Sequence, residues 1–179
     1  MVTTPSPHSG QIILGLDPGL AITGYGVIRS RSKVQLLEAG VIRVRRDQPL
    51  AARLLELYSG IMEVMGSYPI DYVAIEQLYS HYERPRTAIL MGHARGVLCL
   101  AAAASGKTVH SYEPTKVKKL LTGNGRAPKA QMQQAIQLQL HLEDPPDPPD
   151  VADALAIALC HHFATGPVSQ LLMNARKRS

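Results

Sequence analysis

Gln11-Ile-Ile-Leu-Gly-Leu-Asp17-Pro-Gly19 is an apolar run that ends in a carboxylate and then a turn. Ile12, Ile13 and Leu14 carry the bulky side chains that suit a buried strand, and Pro18-Gly19 is a strong turn signal. A strand of this composition is expected to be covered on both faces of its sheet. Asp17 then stands where a buried strand emerges. A carboxylate held there is costly unless something positive meets it.

Outward from this stretch the chain alternates strand and helix signals. Ile22 to Ile28 reads as a second strand, with Gly24 and Gly26 permitting close backbone approach or a bulge. Lys33 to Val44 reads as a third, and the short links between the three predict an antiparallel meander. Asp47-Gln-Pro49 supplies helix-start chemistry. Leu50, Leu54, Leu57, Ile61 and Val64 follow at steps of three and four, an amphipathic helix ending near Gly66. Ile70 to Ile75 is a short buried strand with Glu76 at its end, and a polar loop runs from Gln77 to Arg86. The long helix from about Pro85 to Ala104 is apolar all round in its second half and is expected to be central.

Lys107 to His110 gives the last strand, and Pro114 starts a basic helical segment to about Leu121. Pro128 opens a helix carrying Met132, Ile136 and Leu140. Asp144-Pro-Pro-Asp-Pro-Pro149 forms a stiff linker, and Asp150 to about Phe163 is the final helix. The order β-β-β-α-β-α-β-α-α-α describes an α/β fold: a mixed five-stranded sheet with helices on its faces.

A chain of 179 residues fits one domain with a real hydrophobic core, and 45% hydrophobic residues is ordinary for a globular protein. The expected organisation is a flexible leader over residues 1–10, one domain over 11–165 and a basic tail over 166–179. The longest apolar stretch, Gly96 to Ser105, is too short to cross a membrane, and Met1 to Gly10 lacks the apolar core of an export signal. Cys99 and Cys160 are expected to be reduced core residues of a cytoplasmic protein. His161 and His162 are adjacent, point to different sides of a helix and are expected at the surface.

The formal charge of +5 and a pI near 9.4 come from small basic groups: Arg43/Arg45/Arg46, Arg84/Arg86, Lys116/Lys118/Lys119, Arg126/Lys129 and Arg176/Lys177/Arg178. Converging on one face, such groups would suit a polyanion such as nucleic acid; dispersed, they are a solvated surface.

Four acids stand out by context. Asp17 and Glu76 each follow an apolar strand directly, and would face each other if those strands were neighbours. Asp150 and Asp153 are three apart at a helix start, on one face. The plain alternatives are a turn residue for Asp17, a loop acid for Glu76 and a helix cap for Asp150. Asp153 interrupts the apolar text Val-Ala-Asp-Ala-Leu-Ala-Ile and resists such an explanation. Two carboxylates about 4 Å apart repel by roughly 4 kcal/mol at an effective dielectric near 20, so four cannot stay ionised alone. All-oxygen ligation selects a hard ion such as Mg²⁺, with Mn²⁺ as a substitute. Hard cations on carboxylates in a basic protein suggest two-ion phosphodiester hydrolysis.

The stretches Gly15-Leu-Asp-Pro-Gly19 with Thr23-Gly-Tyr-Gly26, Ala74-Ile-Glu-Gln77, Gly92-His-Ala-Arg-Gly-Val97, Thr122-Gly-Asn-Gly-Arg-Ala-Pro-Lys129 and Asp150-Val-Ala-Asp-Ala-Leu-Ala156 resemble, in order and spacing, the RuvC family. The resemblance runs from about Ile12 to Phe163. It implies an RNase H-like fold and resolution of Holliday junctions, four-way DNA crossovers, by paired nicks in opposing strands. It implies that Asp17, Glu76, Asp150 and Asp153 are the metal-binding catalytic acids, and it selects Asp150 over Asp144 and Asp147 as the partner of Asp153. Tyr79 matches the family's aromatic that contacts bases near the junction, and Lys118 and Lys129 match its basic residues near the scissile DNA. The resemblance also implies a homodimer and work beside a RuvA/RuvB-type branch-migration complex. The Ser80-to-Arg86 loop is more aromatic and basic than the family pattern, and His93 stands where Gln is frequent.

Three other readings compete. An actin-like or sugar-kinase ATPase half shares the acid–Gly turn but needs a second phosphate loop and a second domain, for which 179 residues leave no room. An RNase H-like nuclease acting on structured RNA, and a non-enzymatic junction-binding module, differ from the main reading in the substrate or in whether it is cut.

Overall fold

The structure, a computed structural model, describes residues 10–78 and 85–166. Elements follow in the order β1 (Gln11–Asp17), β2 (Ile22–Ser30), β3 (Gln35–Arg43), α1 (Leu50–Ser67), β4 (Tyr72–Glu76), α2 (Pro85–Ala104), β5 (Thr108–Tyr112), α3 (Pro114–Thr122), α4 (Lys129–Leu140) and α5 (Pro149–Thr165). This is the expected order, with boundaries moved by a few residues at most. The sheet order is β3-β2-β1-β4-β5; β1 to β3 form the antiparallel meander, and β4 and β5 run parallel to β1.

Asp71 fixes where β4 meets β1. Its carboxylate accepts the Ile12 N–H at 2.7 Å while its own N–H donates to the Ile12 carbonyl at 2.9 Å. That clamp sets a register in which Leu16 lies beside Ile75, so Asp17 and Glu76 end neighbouring strands at the same level.

Side-chain alternation then divides β1 between two cores. Ile12, Leu14 and Leu16 pack with Leu57 and Ile61 of α1 and Leu98 of α2. Ile13 packs on the other face with Leu155 and Leu159 of α5, and with residues of α3 and α4. Val73 and Ile75 of β4 join the first core and Ala74 the second. By the same alternation, Gly15, Asp17 and Glu76 face α5.

Glycines let α5 lie against that face. A Cβ on Gly15 would overlap the Ala154 carbonyl oxygen, and one on Gly24 would overlap that of Asp150. Both obstacles are backbone, so the helix could not yield without moving. Gly15 and Gly24 thus serve close approach; the irregularity in β2 lies between Val27 and Ile28.

Three expectations need correction. The long helix α2 is not central: it buries Ala94, Leu98, Ala101 and Ala102, while Ile89 is 61% and Leu100 62% exposed. Its apolar residues surround the helix, but only one stripe meets the protein. By length and composition alone, Arg86–Ala104 (19 residues, mean hydropathy 1.5) is also long and apolar enough to cross a membrane, contrary to the estimate from Gly96 to Ser105. Here it is the crossover between two adjacent strands of one sheet. Finally, His161 is buried, because α5 is enclosed on nearly all sides. Its Nδ1 shares a 2.8 Å hydrogen bond with the Tyr112 hydroxyl, and the rings of Tyr72 and His110 flank it. Burial pushes its pKa down to about 4, so it is neutral at pH 7. His162 is half-buried, 2.7 Å from the Ser30 hydroxyl. Cys160 is buried but Cys99 only half-buried; both are free thiols.

Candidate active site

Each acid reaches the site for a local reason. Asp17 is the last residue of β1, where the chain turns through Pro18-Gly19. Thr23, fully buried, closes that turn: its hydroxyl donates to the Gly19 carbonyl at 2.7 Å and accepts the Gly19 N–H at 3.3 Å. Arg53 of α1 adds a 3.1 Å bond from Nη2 to the Leu20 carbonyl. Glu76 is the last residue of β4, on the neighbouring strand and the same face.

Asp150 and Asp153 descend from α5. The cap position is Pro148 and no side chain caps the helix, so Asp150 lies inside the first turn and is not a cap. A negative charge there meets the positive end of the helix dipole. The Asp150 backbone rests on Gly24, which pairs directly with Asp17 across the β1–β2 ladder. The glycine face of the sheet therefore brings the helix acids to the strand acids.

Burial and mutual charge act together on Asp17, Glu76 and Asp153. Asp17 is pushed up from 3.8 to about 7, first by burial and then by the charges of Glu76, Asp153 and Asp150, with Lys129 pulling it down. Glu76 is pushed up from 4.5 to about 7 by burial and then Asp153, opposed by Lys118. Asp153 is raised by burial above all; Lys129 and Lys118 oppose the rise and Asp150 adds to it. Among the described residues no three His, Cys, Asp or Glu side chains are already drawn together as a metal cage. The two observations are compatible, because Coulomb coupling reaches farther than a coordination bond. Carboxylates are all-oxygen donors, so if drawn together on an ion these four would suit a hard divalent cation.

Beside the acids lies a cleft of about 220 Å³ lined by Glu76 and Asp153, by Lys118 of α3, and by Lys129 and Gln133 of α4. The two lysines expected near the scissile DNA thus converge on the acids from separate helices. Arg43 and Arg45 line another groove, against α1, at the same end of the sheet as Asp17. Tyr79, Arg84 and the Arg176/Lys177/Arg178 group lie outside the described residues. Sequence reasoning gave no role to Thr23, Arg53, Arg95 or Gln133. Thr23 and Arg95 lie inside the quoted motif stretches, and a charge at Arg95 amid the apolar residues of α2 was a signal of a specific partner.

The sheet order, with acids at adjacent strand ends facing the last helix, defines an RNase H-like nuclease fold. Comparison with known proteins identifies the branch of that fold. The family model for the crossover junction endodeoxyribonuclease RuvC matches residues 13–161. The RuvC of Rhodopirellula baltica is 57% identical over 173 residues, covering 96% of this chain and 97% of that protein. That of Alkaliphilus metalliredigens is 44% identical over 152 residues, covering 84% and 92%. A structure of Thermus thermophilus RuvC in complex with Holliday junction substrate superposes with a TM-score of 0.81 at 32% identity, covering 86% of this chain and 93% of that one. The yeast mitochondrial Holliday junction resolvase, at 13% identity and a TM-score of 0.69, shares the fold. The chain belongs to the RuvC family of crossover junction endodeoxyribonucleases, and the RNA-processing alternative finds no support among these relatives.

Proposed function

We propose that this protein resolves Holliday junctions in DNA recombination and repair, nicking two opposing strands symmetrically with divalent metal. The observation that carries the reading is the meeting of Asp17 and Glu76 with Asp150 and Asp153 on one face of the sheet, beside Lys118 and Lys129.

In this reading the four carboxylates hold Mg²⁺, with Mn²⁺ as a substitute and two ions per site. Ions held by these residues would supply Lewis-acid chemistry for activating a water and stabilising a leaving 3′ oxygen. Asp17 and Glu76, set on the sheet, provide rigid oxygens, and Asp150 and Asp153 approach from the helix. Lys118 and Lys129 hold phosphate and offset charge that develops at phosphorus. Tyr79 is assigned by family correspondence to stacking on a base near the crossover. Phosphate contacts predict strongly salt-dependent junction binding.

A two-fold junction cut in opposing strands calls for two sites related by two-fold symmetry. The outer stripe of α2 suits a seam between two copies: Ile89 and Leu100 are exposed, and Cβ atoms on Gly92 and Gly96 would meet nothing within 4 Å among the described residues. A cytoplasmic setting, a branch-migration complex of the RuvA/RuvB type as partner, and a nuclease domain over residues 11–165 between two short flanks complete the proposal.

The test is to map incisions on a synthetic mobile four-way DNA junction in Mg²⁺, in Mn²⁺ and in EDTA. Paired cuts at symmetric positions, dependent on a divalent ion, are expected. Unpaired cutting, cutting in EDTA, or preference for structured RNA would overturn the reading.

A further inference from the structure

Arg95 of α2 reaches the end of β4 from outside the acid cluster. Its Nε donates to the backbone carbonyl of Glu76 at 3.1 Å, and its Nη2 donates to the Ser111 hydroxyl at 2.7 Å. Ser111 lies on β5 beside Ile75, one rung before the Glu76–Tyr112 pair. One guanidinium therefore ties the last rungs of two parallel strands to a single helix. A planar fork of fixed donors suits two acceptors at once, which a lysine ammonium on a flexible stem does not.

We propose that Arg95 is a positioning residue for Glu76: by fixing the carbonyl of the acid's own peptide, it sets where the Glu76 carboxylate stands. The inference rests on the role given to Glu76 above. Two features separate positioning from simple stability. The Ser111 bond is exposed, where a hydrogen bond adds little to folding free energy. The Glu76 bond is to the backbone of a proposed metal ligand, where a small displacement is costly to the chemistry. Arg95 also neighbours Gly96 on the helix whose outer stripe is proposed to pair two copies.

The experiment compares the wild-type chain with Arg95→Ala, Arg95→Gln, Ser111→Ala and, as a control, Glu76→Gln. It reads single-turnover nicking of a four-way DNA junction across a Mg²⁺ titration, junction Kd in EDTA, and Tm. For Arg95→Ala, displacement of the acid is expected to lower the maximal rate about 10- to 100-fold and raise the Mg²⁺ concentration for half-maximal rate. Junction Kd should stay within about twofold, since no phosphate contact is removed. Ser111→Ala keeps the Glu76 bond and should lose less. If Arg95→Ala does not fold, Arg95→Gln, whose shorter amide cannot hold both acceptors, must show a raised Mg²⁺ requirement at least as large as that of Ser111→Ala. A wild-type rate and Mg²⁺ response in a folded Arg95 variant, with Glu76→Gln inactive, would overturn the inference. Glu76→Gln nicking at the wild-type rate would instead overturn the assignment of Glu76, whatever Arg95 does.

Discussion

On its α1/α2 face, β1 presents Ile12, Leu14 and Leu16; on its α5 face it presents Ile13, Gly15 and Asp17. The first face is filled by large aliphatic side chains that hold two helices at the usual distance. The second is cut back to glycine in β1 and β2 and alanine in α5, so helix backbone rests on strand backbone. Close approach sacrifices buried apolar area but positions the helix to a fraction of a side chain's length. Both faces carry apolar core, and the α5 face also sets the position of the acids, from alternate residues of one strand.

Adding a single methyl group should expose that division most sharply. Gly24→Ala pushes on the Asp150 carbonyl, which belongs to the peptide of a proposed metal ligand. Nicking should fall by about 10- to 100-fold while junction binding persists, measured as single-turnover rate and Kd. A normal rate would mean that the α5 face tolerates movement and that the contrast is false.

Leu14→Ala is the converse. Leu14 is fully buried on the α1/α2 face, so denaturant unfolding should show a loss of about 2–5 kcal/mol. The folded fraction should nick at close to the wild-type rate. A rate loss like that of Gly24→Ala would show that both faces position the acids.

The α1/α2 side has an outer boundary as well, the exposed stripe of α2. Leu100→Glu places a charge there without touching either core, and should shift the proposed dimer to monomer in sedimentation velocity. Paired incision should decline more than junction binding. A dimer that persists would move the seam elsewhere.

The smallest effect is the pH slope of stability in EDTA. Asp17 and Glu76 are held near 7 in the fold but ionise near 3.8 and 4.5 when unfolded. Over that window the folded state keeps protons on these two acids, so their contribution to stability falls as pH rises from about 4 to 7, while His161, held near 4, contributes in the opposite sense up to its ordinary value of 6.5. Asp17→Asn should make the slope of Tm against pH more positive than that of the wild type, and Mg²⁺ should shift the wild-type slope in the same direction. The same acids must lose their protons to bind metal, so nicking should rise with pH through about 7. Equal slopes for the wild type and Asp17→Asn would argue against shared burial of the acids.

Much of this was legible in the sequence because local signals agreed with tertiary ones. The run of Ile12 to Asp17 carries both burial and the emerging acid, and the element order followed from period and turn chemistry alone. Gly24 was readable as a place of close approach, but only the fold shows that the approaching group is the backbone of Asp150. Lys118 and Lys129 are separate helix residues in the text, and their convergence depends on how α3 and α4 pack on α5. The failures have a common cause. For α2 and His161, composition tells how apolar a segment is, not how many of its sides meet the protein. An apolar helix can lie at the surface when another surface is to cover it, and a histidine can be buried when a tyrosine hydroxyl meets it.

The central claim is that the α5 face gathers four acids into one metal-dependent site. Its most direct test is to measure Mg²⁺-dependent nicking of a mobile four-way DNA junction by Asp17→Asn beside the wild type, with junction binding measured in EDTA. The account predicts wild-type binding and a loss of nicking on the order of 10³-fold or more. Nicking by Asp17→Asn at the wild-type rate would contradict it.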